Sequence, residues 1–212
     1  MVRAQPTFTF ETDAIAHGAT SVAGVDEVGR GPLAGPVTAA AVVLDPEQIP
    51  PGLTDSKQLS ATARADIAEK LHRSARVSIA HASVAEIDRL NIQAASHLAM
   101  LRALEGLHPA PDFALIDGNR LPGELPCPAM GIVKGDCKSL SISAASIVAK
   151  VCRDQIMVDL AQQYPAYGWE QNRGYPTPQH LAVLKSHGAT PHHRRTFAPV
   201  HKILYQEKSL TP

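Results

Sequence analysis

The sequence predicts one α/β domain organised around a mixed sheet, and the order of its segments supports this prediction. Two apolar runs, Val22–Val28 and Val37–Leu44, come first and have the length and composition of buried strands. Segments of strand character then alternate with segments whose apolar residues recur at helical spacing, and helical segments finish the chain. A chain of 212 residues is long enough for one sizeable core, and no repeat or long linker divides it.

The two predicted strands are joined by a segment that can continue neither of them. Residues 29–36 contain three glycines and two prolines, which predicts an irregular loop. Residues 46–52 predict a second loop, and Ser60 is the expected N-cap of a helix that reaches about Arg73.

The later elements follow from the same apolar spacing and from glycine and proline punctuation. Pro165 stops the longest predicted helix, and Gly188 is the expected C-cap of the last one. We predict strands over residues 77–82, 113–117 and 130–133, and helices over residues 91–107, 139–163 and 177–186.

Cysteine use and hydropathy indicate the cell compartment. The three cysteines are an odd number and form no CxxC pair, which argues against a disulfide framework or a Cys-rich zinc site. No run approaches the ~18–20 apolar residues that a membrane-spanning helix needs. We therefore expect a cytoplasmic protein without a signal peptide or membrane anchor. Residues 1–20 are expected to be an extension without assigned function, 21–200 the domain, and 201–212 a tail.

Charge is balanced overall but uneven along the chain. The sequence has 20 basic and 20 acidic side chains, whereas residues 171–212 carry six Lys or Arg, five His and one acid. This distribution predicts a polyanion-binding face, to which we assign Arg194 and Arg195. A solvated helix surface would have the same composition, so charge alone leaves both interpretations open.

The acids of interest lie at the breaks between predicted elements. Asp26 and Glu27 close the first strand, Asp117 ends a later apolar strand, and Asp136 precedes the long helix. Side chains at strand ends can converge where the backbone becomes irregular. Converging carboxylates repel one another and raise each other's pKa, so such a cluster predicts a divalent cation among them. Ligation by oxygen alone favours Mg²⁺ or Mn²⁺ over zinc.

A carboxylate-held cation site fits phosphodiester hydrolysis. One ion can generate the attacking hydroxide while a second stabilises the leaving oxygen. Neighbouring strand residues point to opposite faces, so Asp26 and Glu27 cannot both be ligands from a regular strand. Either a bend at Gly29 relieves this conflict, or Glu27 acts through water. Each acid alone is more typical of a cap or a surface residue, and the prediction depends on their combination.

The motifs around these acids resemble, in the same order, those of the ribonuclease HII family. The resemblance covers roughly residues 21 to 200. The segments that carry it are Gly-Val-Asp-Glu-Val-Gly-Arg-Gly-Pro-Leu-Ala-Gly-Pro-Val (24–37), Asp-Ser-Lys-Gln-Leu-Ser (55–60), Leu-Ile-Asp-Gly-Asn (115–119), Lys-Gly-Asp (134–136), Ser-Ala-Ala-Ser-Ile-Val-Ala-Lys-Val-Cys-Arg-Asp (143–154), Gly-Tyr-Pro-Thr-Pro-Gln-His (174–180) and His-Arg-Arg-Thr-Phe (193–197).

The resemblance implies a ribonuclease H-like fold, in which helices flank a mixed sheet and a small helical portion follows. It implies that the catalytic, metal-binding set is Asp26, Glu27, Asp117 and Asp136, with Mg²⁺ or Mn²⁺ bound. The expected reaction is cleavage 5′ to ribonucleotides in RNA–DNA hybrids and in duplex DNA, as in DNA repair and replication. The products are a 3′-hydroxyl and a 5′-phosphate. A monomer is expected.

The resemblance also implies a set of substrate contacts. The Gly29–Gly31 backbone, including Arg30, would lie against the ribose 2′-hydroxyl, which glycine permits because it has no Cβ. Tyr175 would pack on the following sugar, although core packing is an alternative for this ring. Further phosphate contacts are expected from Lys57, Ser143 and Ser146.

The sequence departs from the family pattern at two positions, and other functions were considered against the same motifs. Cys137 and Pro176 replace residues more usual in the family, and Pro176 fixes the backbone beside Tyr175. A general nuclease of the same fold would also cut all-DNA duplexes, but it would not need the glycine loop. A non-catalytic hybrid-binding module would not need the acids, and a purely structural protein would need neither.

Overall fold

The structure is a computed structural model and describes residues 5–205. The strands are β1 (Val22–Val28), β2 (Val37–Leu44), β3 (Ala75–Ala82), β4 (Phe113–Asp117) and β5 (Ala129–Ile132), in the sheet order β3-β2-β1-β4-β5. The pairs β1–β2 and β2–β3 are antiparallel, whereas β1–β4 and β4–β5 are parallel. The predicted mixed sheet is therefore confirmed.

The helices lie close to the predicted ranges, with additions that sequence reasoning missed. The helices are α1 (Thr9–Ala16), α2 (Ala61–Ser74), α3 (Val84–Leu90), α4 (Ile92–Glu105), α5 (Leu140–Gln163), α6 (Trp169–Asn172), α7 (Pro178–His187) and α8 (Ala198–Tyr205). Ser60 caps α2, as predicted, by accepting a hydrogen bond from Ala63 N–H. The region predicted as one helix over 91–107 contains only α4, since α3 ends at a separate turn at Asn91, where φ is +72°. None of the described helices is both long and apolar enough to cross a membrane.

Small side chains on β1 and β2 let helices pack closely on both faces of the sheet. Ala39 and Ala41 face α4, whereas Ala40 and Val42 face α2 and α5. The closest approach is at Gly24, where a Cβ would lie 2.1 Å from the Ser141 backbone. Helix α5 therefore crosses β1 directly, two residues before Asp26.

The N-terminal segment, which we expected to be an extension, packs on the domain. Phe10 and Ala14 of α1 pack against a small core of β1, β4, β5 and α5 residues. Glu11 is 1% exposed and accepts hydrogen bonds from the Ser139 and Ser141 hydroxyls and from Ser141 N–H. Helix α1 therefore supplies a buried carboxylate to the start of α5.

The helical C-terminal portion packs against the glycine-rich loop. Leu33 and Ala34 of that loop share a core with Trp169, Leu184 and Val200. The predicted start of a tail at residue 201 falls inside α8, and residues 206–212 lie outside the described residues. This portion therefore supports the loop that follows the acid-bearing end of β1.

Candidate active site

The four predicted acids converge on one cavity of about 370 Å³ at the end of the sheet. Asp26 lies two residues before the end of β1, and Asp117 is the last residue of β4; the two strands run parallel, with Val25 paired to Ile116. Asp136 lies in a short 3-10 helix, Gly135–Cys137, just before α5. The cavity is lined by Asp26, Glu27, Val28, Gly29, Arg30, Gly31, Ser56, Lys57, Asp117, Asp136, Ser146, Lys150 and Tyr175.

Asp26 and Glu27 point to opposite faces of the sheet, yet both line the cavity because they lie near the end of the central strand β1. Strand β1 stays regular, and its pairing with β2 continues to Val28. Side chains alternate along β1, so Asp26 is on the same face as Gly24, toward α5. Glu27 is on the same face as Val25, toward α4. Glu27 and Asp117 also line a second polar cavity on the α4 side. Both acids therefore line the main cavity without a bend at Gly29.

Burial and mutual repulsion make the carboxylate cluster electrostatically unfavourable by itself. Asp26 is 6% exposed, and its pKa is raised well above the usual value by burial and then by Glu27, Asp117 and Asp136. Burial also raises the pKa of Asp117, although Gly135 N–H donates to its carboxylate at 2.6 Å. Burial raises the pKa of Glu27 against the opposing effect of Arg30, 3.1 Å away.

The donor set at this cavity fits a hard divalent cation. Glu27 Oε2 is buried without a hydrogen-bond partner among the described residues, so a lone pair remains free for a ligand. The facing ligands are carboxylate oxygens, which suit Mg²⁺ or Mn²⁺. A cation would also offset the burial and the mutual repulsion that raise these pKa values.

A second group of possible ligand atoms lies on the outer side of Asp136. Atoms of Asp55, Asp136 and Cys137 fall within 4.8 Å of one another. Burial and the neighbouring Asp136 raise the pKa of the Cys137 thiol, which disfavours the thiolate that a metal ion binds. The Asp55 carboxylate already accepts Lys57 N–H at 2.9 Å. The four acids that line the main cavity offer oxygen ligands alone, whereas the group around Asp55 includes a thiol.

Two buried arginines hold the glycine-rich loop by donating hydrogen bonds to its backbone carbonyls. Gly29 has φ +93°, and a Cβ there would lie 2.1 Å from Arg153 Nε. Arg153 donates to the carbonyls of Pro36, Arg173 and Ala34 at 2.9–3.1 Å. Arg194 donates to four loop carbonyls, those of Gly35, Arg30, Gly29 and Pro36.

This arrangement corrects the predicted role of Arg194. The side chain is 0% exposed, and its guanidinium N–H groups point at loop carbonyls, so they cannot reach a phosphate at the surface. Arg195 is exposed; its backbone N–H donates to Asp88 at 3.0 Å, and its side chain has no hydrogen-bond partner within residues 5–205. The Arg-Arg pair therefore divides into one structural and one surface side chain.

The predicted phosphate contact at the start of α5 also needs correction. Ser143 is 0% exposed, and its hydroxyl donates to the Thr54 carbonyl at 3.0 Å. The first N–H groups of α5 are already used, and Glu11 accepts that of Ser141. An internal carboxylate thus occupies the position expected for a phosphate. Ser146, one turn later, does line the cavity and hydrogen-bonds Ser56 at 3.0 Å.

The remaining predicted contacts lie on the cavity wall. Burial disfavours the charge on Lys57, but Asp55, Asp136, Asp26 and Asp117 outweigh it and raise the lysine pKa. The Tyr175 ring is 42% exposed, and it would lie 3.4 Å from a Cβ at Gly31. Tyr175 and the glycine loop therefore form one continuous surface beside the acids.

Comparison with known proteins assigns the chain to a family. A sequence model described as Ribonuclease HII matches residues 23–206. The chain belongs to the ribonuclease HII family. Ribonuclease HII of Cereibacter sphaeroides is 64% identical over 207 residues, covering 98% of each chain. That of Ruegeria pomeroyi is 63% identical over 203 residues, covering 96% of this chain and 87% of the relative.

Solved structures of archaeal relatives share the ribonuclease HII fold. Ribonuclease H2 of Pyrococcus horikoshii superimposes with a TM-score of 0.75 at 29% identity, covering 89% of this chain and 99% of that one. An Archaeoglobus fulgidus ribonuclease HII, solved in complex with PCNA, gives 0.70 at 25% identity, covering 84% and 95%. The family assignment makes this chain a divalent-metal-dependent endonuclease of the ribonuclease H type.

Several polar residues at the ribonuclease HII site were missed by sequence reasoning. Lys150 lines the main cavity and pairs with Asp154 at 2.6 Å. Gln93, His97 and Arg120 line the second cavity with Arg30. The signal for Lys150 lay within a quoted motif, whereas the other three side chains carry no local pattern and are brought together by tertiary structure.

Proposed function

We propose that this ribonuclease HII family member hydrolyses the phosphodiester bond 5′ to a ribonucleotide, in RNA–DNA hybrids and in duplex DNA that contains ribonucleotides. The observation that carries the proposal is the convergence of four carboxylates beside a glycine loop and an exposed tyrosine. The acids suit a phosphate-hydrolysing metal site, and the loop suits recognition of a sugar. This combination separates the proposal from a general nuclease and from a binding module.

The four acids would hold the ions through carboxylate oxygens on both faces of the sheet, near the ends of β1 and β4. When bound there, divalent ions supply an activated water and stabilise the leaving oxygen. Asp26 and Asp117 would face the ions from the α5 side, and Glu27 from the α4 side. The products are a 3′-hydroxyl and a 5′-phosphate, and no covalent enzyme intermediate is required. Mg²⁺ and Mn²⁺ both fit this oxygen set.

The loop Gly29–Gly31 would detect the ribose 2′-hydroxyl through its backbone. Arg153 and Arg194 fix the carbonyls of this loop, so its polar groups are already oriented before substrate binds. Tyr175 abuts Gly31 and presents a flat ring to the next sugar. A deoxyribose suits such a ring, whereas a second 2′-hydroxyl would crowd it.

Phosphates of the duplex would be bound by cations around the cavity. Lys57 lies on its wall, Arg30 lies between the two cavities, and Arg195 is exposed on the helical portion. Monomeric action in the cytoplasm, with a role in ribonucleotide removal during DNA repair and replication, stays a prediction. The free state of Cys127, Cys137 and Cys152 is compatible with such a reducing compartment.

The test is cleavage of a labelled duplex with one ribonucleotide, with Mg²⁺, with Mn²⁺ and with EDTA. We expect a metal-dependent cut 5′ to the ribonucleotide and no cut in an all-DNA duplex of the same sequence. A cut in the all-DNA duplex would favour a general nuclease. Binding of the duplex without any cleavage would favour the binding module.

A further inference from the structure

A cluster of histidines and aromatic rings lies beneath Tyr175, outside the catalytic cavity. Two of its members, His180 and His193, are at most 1% exposed and approach each other with their Nε2 atoms 3.1 Å apart. Trp169 and Tyr167 pack against both rings. Neither histidine has a place in the proposed chemistry, so their burial calls for another explanation.

The hydrogen-bond partners fix the protonation state of His180. Trp169 Nε1–H can only donate, and it lies 3.1 Å from His180 Nε2, so this nitrogen is an acceptor. The other nitrogen, Nδ1, lies 2.8 Å from the carbonyl oxygen of Tyr175, which can only accept. His180 is therefore neutral, with its proton on Nδ1 and directed at the Tyr175 backbone.

His193 is fixed in the complementary state. Its Nδ1 accepts the backbone N–H of Thr190 at 3.0 Å and therefore carries no proton. Its Nε2–H then points at His180 Nε2, whose single lone pair is shared between His193 and Trp169. Burial, with His180 and His192 nearby, lowers the pKa of His193 to about 3, and burial lowers that of His180. Protonation of either ring would direct an N–H at another donor, so the pair stays neutral.

The hydrogen-bond chain ends at the backbone of the residue that faces the substrate. Tyr175 N–H donates to the Asn172 carbonyl at 2.9 Å, and the Tyr175 carbonyl accepts from both Thr177 N–H and His180 Nδ1–H, each at 2.8 Å. Pro176 follows and has no N–H to donate. Tyr175 is exposed, and its ring lies beside Gly31. Its direction therefore depends on how firmly its backbone is held.

We propose that His180 is a positioning residue for Tyr175, and that His193 and Trp169 hold His180 in the tautomer that performs this role. The chain Thr190–His193–His180–Tyr175 would thereby set the angle at which the tyrosine ring meets the sugar after the ribonucleotide. This inference rests on the proposed function, because it gives Tyr175 a part in distinguishing a deoxyribose from a ribose at that position.

Two substitutions test the two ring nitrogens of His180 separately. In His180→Gln the amide reaches the position of Nε2 and can still pair with Trp169, but the donor to Tyr175 is lost. In His180→Asn the amide reaches the position of Nδ1 and keeps that donor. We expect His180→Gln to raise KM for a single-ribonucleotide duplex by about tenfold, the scale of one lost hydrogen bond, with kcat nearly unchanged.

The substrate comparison identifies positioning rather than general damage. We expect His180→Gln to lower the preference for the single-ribonucleotide duplex over an all-RNA hybrid strand, and His180→Asn to retain most of it. In a Tyr175→Ala background, His180→Gln should change this preference no further, because the two residues act in series. His187→Gln is the matched control on the same helix, since that side chain is exposed and hydrogen-bonds Ser186.

The outcomes distinguish this inference from the proposed function. If Tyr175→Ala alters substrate preference but His180→Gln affects both substrates equally, the positioning role is wrong and the proposed function stands. If Tyr175→Ala leaves the preference unchanged, the assigned role of Tyr175 fails and the inference falls with it. Should His180→Gln not fold, His193→Asn removes the donor to His180 while an amide oxygen can still accept Thr190 N–H. It should shift the preference in the same direction but less, and an unchanged preference would overturn the inference.

Discussion

The molecule buries like charges in two neighbouring places, the carboxylate cluster and the arginine pair beneath the glycine loop. Arg153 and Arg194 are both 0% exposed, yet their guanidinium groups make at least three hydrogen bonds each to backbone carbonyls. Asp26 and Glu27 have few donors facing them, and Glu27 Oε2 has none among the described residues. The fold supplies hydrogen-bond partners for the two guanidinium groups, but it supplies few for the two carboxylates.

This contrast explains why burial alone does not indicate function. The arginine pair stabilises the loop and needs nothing further, because carbonyl groups compensate its charge. The acids keep unused lone pairs and raised pKa values, which is the state of a site that requires a cation. The two regions should therefore respond oppositely to neutral substitution.

The largest expected effect tests the acid side of this comparison. Asp26→Asn should reduce metal-dependent cleavage by about three orders of magnitude, or ~4 kcal/mol of barrier. The same change removes a buried charge that its neighbours repel, so the melting temperature in EDTA should hold or rise. Cleavage assays and thermal melting measure both, with Asp66→Asn, an exposed acid on α2, as the control. Near-normal turnover would remove Asp26 from the metal site.

The arginine side should show the reverse pattern in stability. Arg194→Met leaves several buried carbonyls without donors, so the free energy of unfolding should fall by about 3 kcal/mol. Urea unfolding measures this change, and Arg195→Met is the matched control because its side chain is exposed. A loss no larger than that of the control would mean that the guanidinium does not hold the loop.

The pH dependence of stability should also differ between the acids and the rest of the surface. The pKa of Asp26 is raised in the folded state, so folded Asp26 binds its proton more tightly than the unfolded residue does. Its stabilising effect is complete below its ordinary pKa, about 4, and is lost as pH rises through the folded value. Glu86, whose pKa is lowered to about 2 chiefly by Arg102, acts in the opposite sense.

The comparison that isolates this effect is wild type against Asp26→Asn in EDTA. The difference in unfolding free energy should shift in favour of the variant as pH rises above about 4. Adding Mg²⁺ or Mn²⁺ should reduce the shift, because a bound cation stabilises the ionised form. If the difference in unfolding free energy does not change with pH, the pKa of Asp26 is not raised in the folded state.

Sequence reasoning predicted the sheet, the long helix and the meeting of the acids, because these follow from apolar spacing and from positions at strand ends. It assigned Arg194 wrongly, since adjacent arginines look alike until the fold buries one of them. It missed the docking of Glu11 on α5, since a contact between residues 11 and 141 leaves no local trace. The corrected assignments of Ser143 and Arg194 both concern polar groups that the fold itself satisfies.

The smallest expected effect separates the neighbours Arg194 and Arg195. Arg195→Ala should flatten the dependence of log binding constant on log salt by about 0.7–0.9, the contribution of one phosphate contact. Its folding stability should be almost unchanged, because the exposed side chain has no partner in the described part of the chain. Lys185→Ala, an exposed lysine on α7, controls for the loss of one positive charge. Equal slopes for wild type and Arg195→Ala would place the binding face elsewhere and leave Lys57 and Arg30, at the cavities, as the phosphate contacts to be tested.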